Sequence, residues 1–441
     1  MVLPSSNKRG HVVFVNVCRW LLALVLMLSG FLKAVDPVAG VYKLQEYVSA
    51  FSLSGISDGW LSAFSVAQAA VEFLVGLYLL VGIYRGFISF MALLMMLLFT
   101  PFTLYLWVSG AVSDCGCFGE SLLMSNAMTF VKNVVLLFLA FVAFAGRRAF
   151  VRCMSSNMRW ALVLFSLVYI FGMQGVAVHH LPLIDSGSYA VGTDLRSKVG
   201  YVPAEYEPMA MYRKAGDEEM SVVPADTVMG SEWEFGGYTE VLVAPGTEPE
   251  ISNFSIVDWE YDIEMADMLL ADTGFVCIVP IENVESASVT HVDKVNDLYD
   301  YCIANGLPFC AVSSSDEDAL SLWAKRTGAE YPVYWADANM LRSMVHANPA
   351  LVLLKDGVIV GKWTAADIPA VQGVEGTEVL SVKELPVYAD YRSWPFWVIV
   401  LAGAVVLLSL IDVFLVQIAR GERGEAVAKE AAGEAKDDEN K

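Results

Sequence analysis

Cys115 and Cys117 stand one glycine apart in the stretch "VSDCGCFGE", Val112–Glu120. Two thiols at that spacing can do redox chemistry, contribute to a metal site, or simply sit in a tight turn. A Cys-x-Cys disulfide closes a very small ring and would be strained, and strained, accessible disulfides are the easily reduced, exchanging kind. Exchange needs a thiolate. The acidic neighbours Asp114 and Glu120 disfavour one, and Lys132 further along would favour one if it faced the turn. As metal ligands two sulfurs do not complete a site, so no metal is expected here. As a turn, the motif is served by Gly116 and Gly119, which let the backbone bend tightly.

A second set of residues lies inside apolar runs. "AQAAVEFLVGLYLLVGIYRG" carries Gln68 and Glu72, and "TFVKNVVLLF" carries Lys132 and Asn133. Ionisable groups in a bilayer are costly, so they face a bundle interior, pair, or mark a path. Two readings stay open: a Glu72–Lys132 ion pair tying two spans together, or a proton relay to a bound quinone. Lys33 and Asp36 are expected at the membrane interface, where snorkelling accounts for them. His179 and His180 are expected to anchor a span end.

These residues are positioned by long apolar segments. The chain has 441 residues, of which 56% are hydrophobic. Its mean hydropathy is +0.52. That is too apolar for an ordinary soluble protein. Six windows are long enough to cross a bilayer: Val12–Ala34, Ala63–Ile83, Phe87–Val108, Leu122–Ala145, Arg159–Val178 and Trp394–Gln417. The first lacks a small-x-small cleavage site and reads as a span rather than a signal peptide. Lys8 and Arg9, Arg85, the group Arg147, Arg148, Arg152 and Arg159, and then Arg420 and Arg423 all fall on one side if the spans alternate. The positive-inside rule makes that side the cytoplasm. The expectation is an inner-membrane protein with both termini cytoplasmic and residues 179–393 periplasmic. Trp394 and Trp397 would belong to an interfacial aromatic belt.

The net charge of −21 is concentrated in that large segment. Leu181–Arg392 holds 12 Lys and Arg against 35 Asp and Glu. So acidic a segment argues against nucleic-acid binding. Residues 186–270 are rich in glycine, proline and short alternating runs, which predicts strands and turns without a core of their own. From about residue 271 the order becomes strand ("GFVCIVP"), helix, strand ("PFCAVSS"), helix, strand, helix, and a hairpin ("ALVLLKDGVIVGKW") turning at Asp356-Gly357. That order resembles a thioredoxin-like fold, with Asn348-Pro349 where that family carries its cis-proline loop. The family's Cys-x-x-Cys is missing, since "PIENVES" follows the first strand. Cys277, Cys302 and Cys310 are expected as buried apolar side chains, with one structural disulfide as the alternative. The tail of residues 420–441 reads as polar and without fixed structure.

Residues Val12–Ala145 carry a second resemblance. "SGFLKAVDPVAGVYKLQEYVSAF", "TPFTLYLWVSGAVSDCGCFGE" and the runs around Glu72 and Lys132 resemble the DoxX/MauE family of small four-helix membrane proteins. They are most similar to its Bacteroidetes members fused to an outer domain. "LPLIDSGSYAVGTDL" looks like the junction of such fusions. The resemblance implies involvement in maturing disulfide-rich envelope proteins (MauE type), or in quinone-coupled thiosulfate oxidation and thiol stress (DoxX type). It carries over Cys115 and Cys117 as motif positions.

The combined expectation is an α-helical membrane bundle of about six transmembrane helices plus an extracytoplasmic α/β thioredoxin-like domain preceded by a β-rich segment. Its boundaries are 1–150 for the four-helix membrane domain, 151–185 for the fifth helix and junction, 186–270, 271–392, 393–419 for the sixth helix, and 420–441. The function expected is thiol–disulfide electron transfer or maturation of envelope proteins, with Cys115 and Cys117 as the redox pair and Lys132 and Glu72 as charge or proton partners. A quinone is the candidate cofactor; the lipid membrane and an envelope thiol or disulfide protein are the partners. The alternative is a non-catalytic, membrane-anchored docking protein. A transporter is the weaker third reading, since no inverted repeat is visible.

Overall fold

In this computed structural model the described residues are 6–53, 55–112, 115–116, 124–151, 153–155, 158–185, 187–200, 205–214, 220–227, 229–244, 249–251, 254–369 and 395–414. They form two compact units. One is built from Met1–Gly187, Val345–Ala347 and Val387–Lys441, the other from Ser188–Met344 and Asn348–Pro386.

The first unit is helical. Its helices are α1 (Ser6–Val35), α2 (Pro37–Ala50), α3 (Asp58–Val81), α4 (Arg85–Ser109), α5 (Asn126–Ala145) and α6 (Arg159–His179), with a last helix at Pro395–Phe414. Among the described residues six are long and apolar enough to cross a membrane: Gly10–Val35 of α1, then α3, α4, α5, α6 and Pro395–Phe414. The chain is a multi-pass membrane protein. Each helix falls within a few residues of an apolar window read from sequence.

Lipid gives little drive to bring apolar helices together, so close packing and polar links must do it. α1 and α3 approach through glycines. A β-carbon on Gly76 would come within 2.5 Å of the Met27 nitrogen, and one on Gly30 would collide with the backbone of Phe73. α4 and α5 are tied by Asn133 Nδ2, which donates to Thr103 Oγ1 at 3.2 Å. Tyr78 and Ser166 share a 2.8 Å hydroxyl bond between α3 and α6. The Tyr169 hydroxyl of α6 donates to the Trp397 carbonyl at 2.9 Å. Trp397, expected as a belt residue, thus docks the last helix on α6; Trp394 lies outside the described residues.

The apolar pattern predicts a loop over 36–60, and the structure puts α2 there. Asp36 accepts from the Ala39 amide at 3.0 Å and Pro37 takes the first helical position. An Asp-Pro start is a strong helix signal, and it is present in the sequence.

The second unit begins with segment 192–195, which lies along a strand edge through Gly192 N to the Ile359 carbonyl (2.7 Å) and Ile359 N to the Thr193 carbonyl (3.0 Å). After the short α7 (Leu195–Val199) come β1 (Glu205–Lys214), β2 (Met220–Pro224) and β3 (Trp233–Ala244), an antiparallel sheet in the order β2-β1-β3. Among its described side chains only Ala210 is buried, in line with a β-rich segment that has no core of its own.

The rest is an α/β layer: β4 (Ile256–Asp258), β5 (Ile263–Glu264), α8 (Ala266–Ala271), β6 (Phe275–Ile281), α9 (Val292–Asn305), β7 (Phe309–Ser313), α10 (Glu317–Thr327), β8 (Val333–Ala336), α11 (Ala338–Met344), β9 (Ala350–Lys355) and β10 (Val358–Thr364). The sheet order is β10-β9-β6-β7-β8-β4-β5, with β6, β7 and β8 parallel and the other pairings antiparallel. β6 and β7 are buried over nearly their whole length, as continuous apolar runs in a covered parallel sheet must be. α10 starts at Asp316, which accepts from the Ala319 amide, and ends at Gly328 with φ +70°. Asp356 (φ +52°) and Gly357 (φ +71°) make the tight β9–β10 turn. The Asn348–Pro349 peptide is cis.

Cys277, Cys302 and Cys310 are all buried, and Cys302 Sγ donates to Cys277 Sγ at 3.7 Å. They are thiols packed in the core. Burial pushes the Cys310 thiol up to about 12. The hydrogen bond with Cys302, and then burial, hold the Cys277 thiol well above its ordinary value.

Candidate functional site

The Cys-Gly-Cys turn lies between α4 and α5, and its described part is Cys115 and Gly116. Cys117, Asp114 and Glu120 lie outside the described residues. Both flanks of the connection are fixed. α4 stops at Gly110, which adopts φ +60° and caps Leu106. α5 starts at Ser125, whose hydroxyl accepts from the Met128 amide, and Asn126 Nδ2 reaches back to the Val112 carbonyl at 2.8 Å.

The third support is α2. The Tyr47 hydroxyl donates to the Cys115 carbonyl at 2.7 Å. The Tyr47 ring stands edge-on to Phe102 of α4 at 5.3 Å, and Phe51 packs on both Phe102 and Tyr105. These rings fix α2 against the end of α4, so the phenol arrives at the turn already oriented. α2 is also seated on α3, where Ser65 Oγ donates to the Pro37 carbonyl at 2.9 Å.

Gly116 has a φ of +57°. That left-handed conformation costs an L side chain about 1–2 kcal/mol. Its missing side chain is also used. A β-carbon there would come within 2.9 Å of Lys43 Cγ, so the Lys43 stem lies across the turn. Lys43 Nζ pairs with Glu46 at 2.6 Å. Among the described residues, a cation that packs on the turn is Lys43 of α2, a residue without a distinguishing motif of its own. Its spacing to Tyr47, four residues on one helix, was the available signal. Lys132 sits half-buried in the second turn of α5.

Glu72 is placed differently from expectation. It is 1% exposed and accepts from Ser29 Oγ (2.8 Å), Lys33 Nζ (2.6 Å) and Gln68 Nε2 (3.2 Å). The ion pair of α3 is therefore Glu72–Lys33, not Glu72–Lys132. The cause is the glycine-mediated approach of α1 to α3. It brings Ser29 and Lys33, one turn apart on α1, onto the face carrying Glu72. Lys33 is 16% exposed and lies 5.9 Å from the Phe99 ring, so it is a bundle residue rather than a snorkelling one. Three donors on one carboxylate are what an ion inside a bilayer requires. His179 and His180, at the end of α6, are both exposed.

Residues 11–146 match the family model described as Methylamine utilisation protein MauE. A comparison with curated proteins gave no match. The match spans α1 to α5, and with it the turn, the supporting helix α2 and the buried ion pair. This part of the chain, residues 11–146, is a MauE-like membrane segment.

Proposed function

We propose that the protein is a membrane thiol–disulfide factor in which Cys115 and Cys117 exchange with an envelope protein. The observation that carries this reading is the prepared turn. Cys115 is half-exposed, its carbonyl is held by Tyr47, and Gly116 is set in a left-handed conformation between two membrane-crossing helices. In the exchange, the Cys115–Cys117 disulfide takes two electrons and two protons from two partner thiols, leaving a partner disulfide and the Cys115/Cys117 dithiol. A membrane quinone then takes two electrons and two protons from that dithiol, giving quinol and restoring the disulfide. The acceptor is a bilayer molecule in this reading because the turn closes on membrane helices. Glu72 and Lys33, with Ser29 and Gln68, are the ionisable group that would serve a proton path from there.

The second unit is read as an extracytoplasmic thioredoxin-like domain on the periplasmic face of the inner membrane, with both chain termini cytoplasmic. Its parallel β6, β7 and β8, antiparallel β9–β10 hairpin and cis-Pro349 support the likeness. Glu282-Asn283-Val284-Glu285 stands where that family has its cysteines. Asn348 Nδ2 donates to the Asn283 carbonyl at 2.9 Å, which closes that loop on the cis-proline segment. A domain of this form has no dithiol chemistry at that position and serves for docking, so a purely non-catalytic docking protein is the second reading.

The two readings separate on one experiment. With Cys117→Ser in cells, Cys115 has no internal resolving thiol and should trap a partner as a mixed disulfide. A trapped partner that is absent from the Cys115→Ser/Cys117→Ser variant supports exchange. No trapped partner, with the Cys115/Cys117 pair held in one redox state throughout, leaves docking alone.

A further inference from the structure

The antiparallel sheet β2-β1-β3 leaves one long edge open. β3 (Trp233–Ala244) is 12 residues long and pairs with β1 on one side; among the described residues no strand lies along its other side. An unpaired edge offers a row of backbone N–H and C=O groups to any extended chain, and proteins commonly blunt such edges with Lys or Pro. The β3 sequence "WEFGGYTEVLVA" contains neither. Its pairing with β1 is regular from Gly237 to Leu242 and shifts register on both sides. That regular stretch has an ordinary strand length and is the part of the edge ready for pairing.

One face of the sheet is aromatic. Residues directly opposite in an antiparallel pair share a face, as do alternate residues along a strand. Tyr212 stands opposite Phe235, Ala210 opposite Tyr238 and Tyr206 opposite Leu242. The Phe235 ring lies 5.5 Å from the Tyr212 ring and 5.0 Å from the Tyr238 ring. This face is open: Tyr206 is 56%, Phe235 52% and Tyr238 69% exposed. Glu240 lies between Tyr238 and Leu242 on the same face of β3. It is exposed and pairs with no cation among the described residues.

Charge selects the occupant. Residues 205–244 hold nine Asp and Glu against two Lys and Arg, a net charge of −7. One of the two cations, Arg213, is already paired with Glu234 at 3.1 Å. Such a sheet repels a second copy of itself and an anionic bilayer surface, and it attracts a cationic chain.

We infer that the β3 edge docks a basic, extended segment of a partner protein by strand addition. The segment lies beside β3 as a fourth strand, held by backbone hydrogen bonds, and its side chains give the specificity. Apolar side chains stand opposite Tyr238 and Leu242, and a Lys or Arg stands opposite Glu240. The surface goes beyond the exchange reading and stands whether or not the Cys-Gly-Cys turn cycles.

The test is fluorescence anisotropy of labelled heptapeptides with the full-length protein, in detergent and in phosphatidylcholine nanodiscs. The peptide Lys-Val-Thr-Lys-Thr-Val-Lys fits the edge in either direction. The wild type should bind it about tenfold more tightly than the same peptide with Glu for Lys, or with Pro for Thr. The first change reverses the charge; the second keeps the charge and removes backbone donors. Tyr238→Ala/Glu240→Gln should weaken binding about tenfold. Glu240→Lys alone should favour the peptide carrying Glu at its central position. Glu317→Gln/Asp318→Asn, which removes two exposed charges from α10, should leave binding unchanged. No binding by the wild type, or an equal loss in the α10 variant, overturns the site. Equal binding of the proline peptide overturns strand addition. Self-association of the wild type that the peptide competes away overturns the partner in favour of a second copy. Binding in detergent that is lost in nanodiscs overturns it in favour of the bilayer surface.

Discussion

The hydroxyl of Tyr47 and the backbone carbonyl of Cys115 meet at 2.7 Å, linking a short helix after the first span to the turn between the third and fourth. Nothing in the sequence near Cys115 announces that partner, which lies 68 residues away. Tyr47→Phe keeps the ring against Phe102 and removes only the bond. A lost hydrogen bond of about 1 kcal/mol raises the population of an opened turn about fivefold. Once the pair has been reduced, maleimide labelling of Cys115 in membranes should therefore accelerate by a similar factor in Tyr47→Phe, and remain unchanged in Tyr105→Phe.

Gly116→Ala tests the turn itself. The new β-carbon meets a disfavoured left-handed backbone and the Lys43 stem together. The left-handed conformation alone costs about 1–2 kcal/mol. Thermal unfolding of the purified protein should fall accordingly. Gly116→Ala with Lys43→Ala should recover the steric part and leave the conformational part.

The buried ion pair gives a double-mutant prediction. Glu72→Gln or Lys33→Met each strands one charge in the bundle, and breaking such a pair costs about 3–5 kcal/mol. Glu72→Met/Lys33→Met removes both charges and should restore most of that loss. Unfolding in detergent measures all three. Lys132→Met should show no coupling to Glu72.

The buried thiols of the α/β layer set an alkaline limit. Cys310 is held protonated up to about 12 in the folded chain against an ordinary value of 9.0. Above that ordinary value the unfolded chain ionises this thiol while the folded one keeps its proton. The stabilisation is thus complete below about pH 9 and is lost as the pH rises from there towards the folded value, by at most about 1.4 kcal/mol per pH unit. The stability difference between wild type and Cys310→Ala should shrink from pH 8 to pH 10.

Much of this architecture was legible in the residues. Apolar length alone located six helices, and Asp356-Gly357 marked the turn where positive φ was needed. Neighbourhood was not legible. Glu72 offered a charge and Lys132 an opposite one, but which span lies against which depends on close approach at Gly30 and Gly76, and that selected Lys33. Helix α2 was missed because its apolar run is short, although Asp36-Pro37 announced its start. Cys115 was found by its spacing to Cys117. Its supports, Tyr47 and Lys43, could be found only once α2 had been placed.

The most direct measurement is a redox titration of the Cys115–Cys117 peptide in purified full-length protein, read by differential thiol alkylation and mass spectrometry. The account predicts a two-electron transition at a potential above about −300 mV, as for strained, exchangeable disulfides. A pair that stays reduced under every oxidising buffer, or one that resists reduction like a structural disulfide, would contradict it.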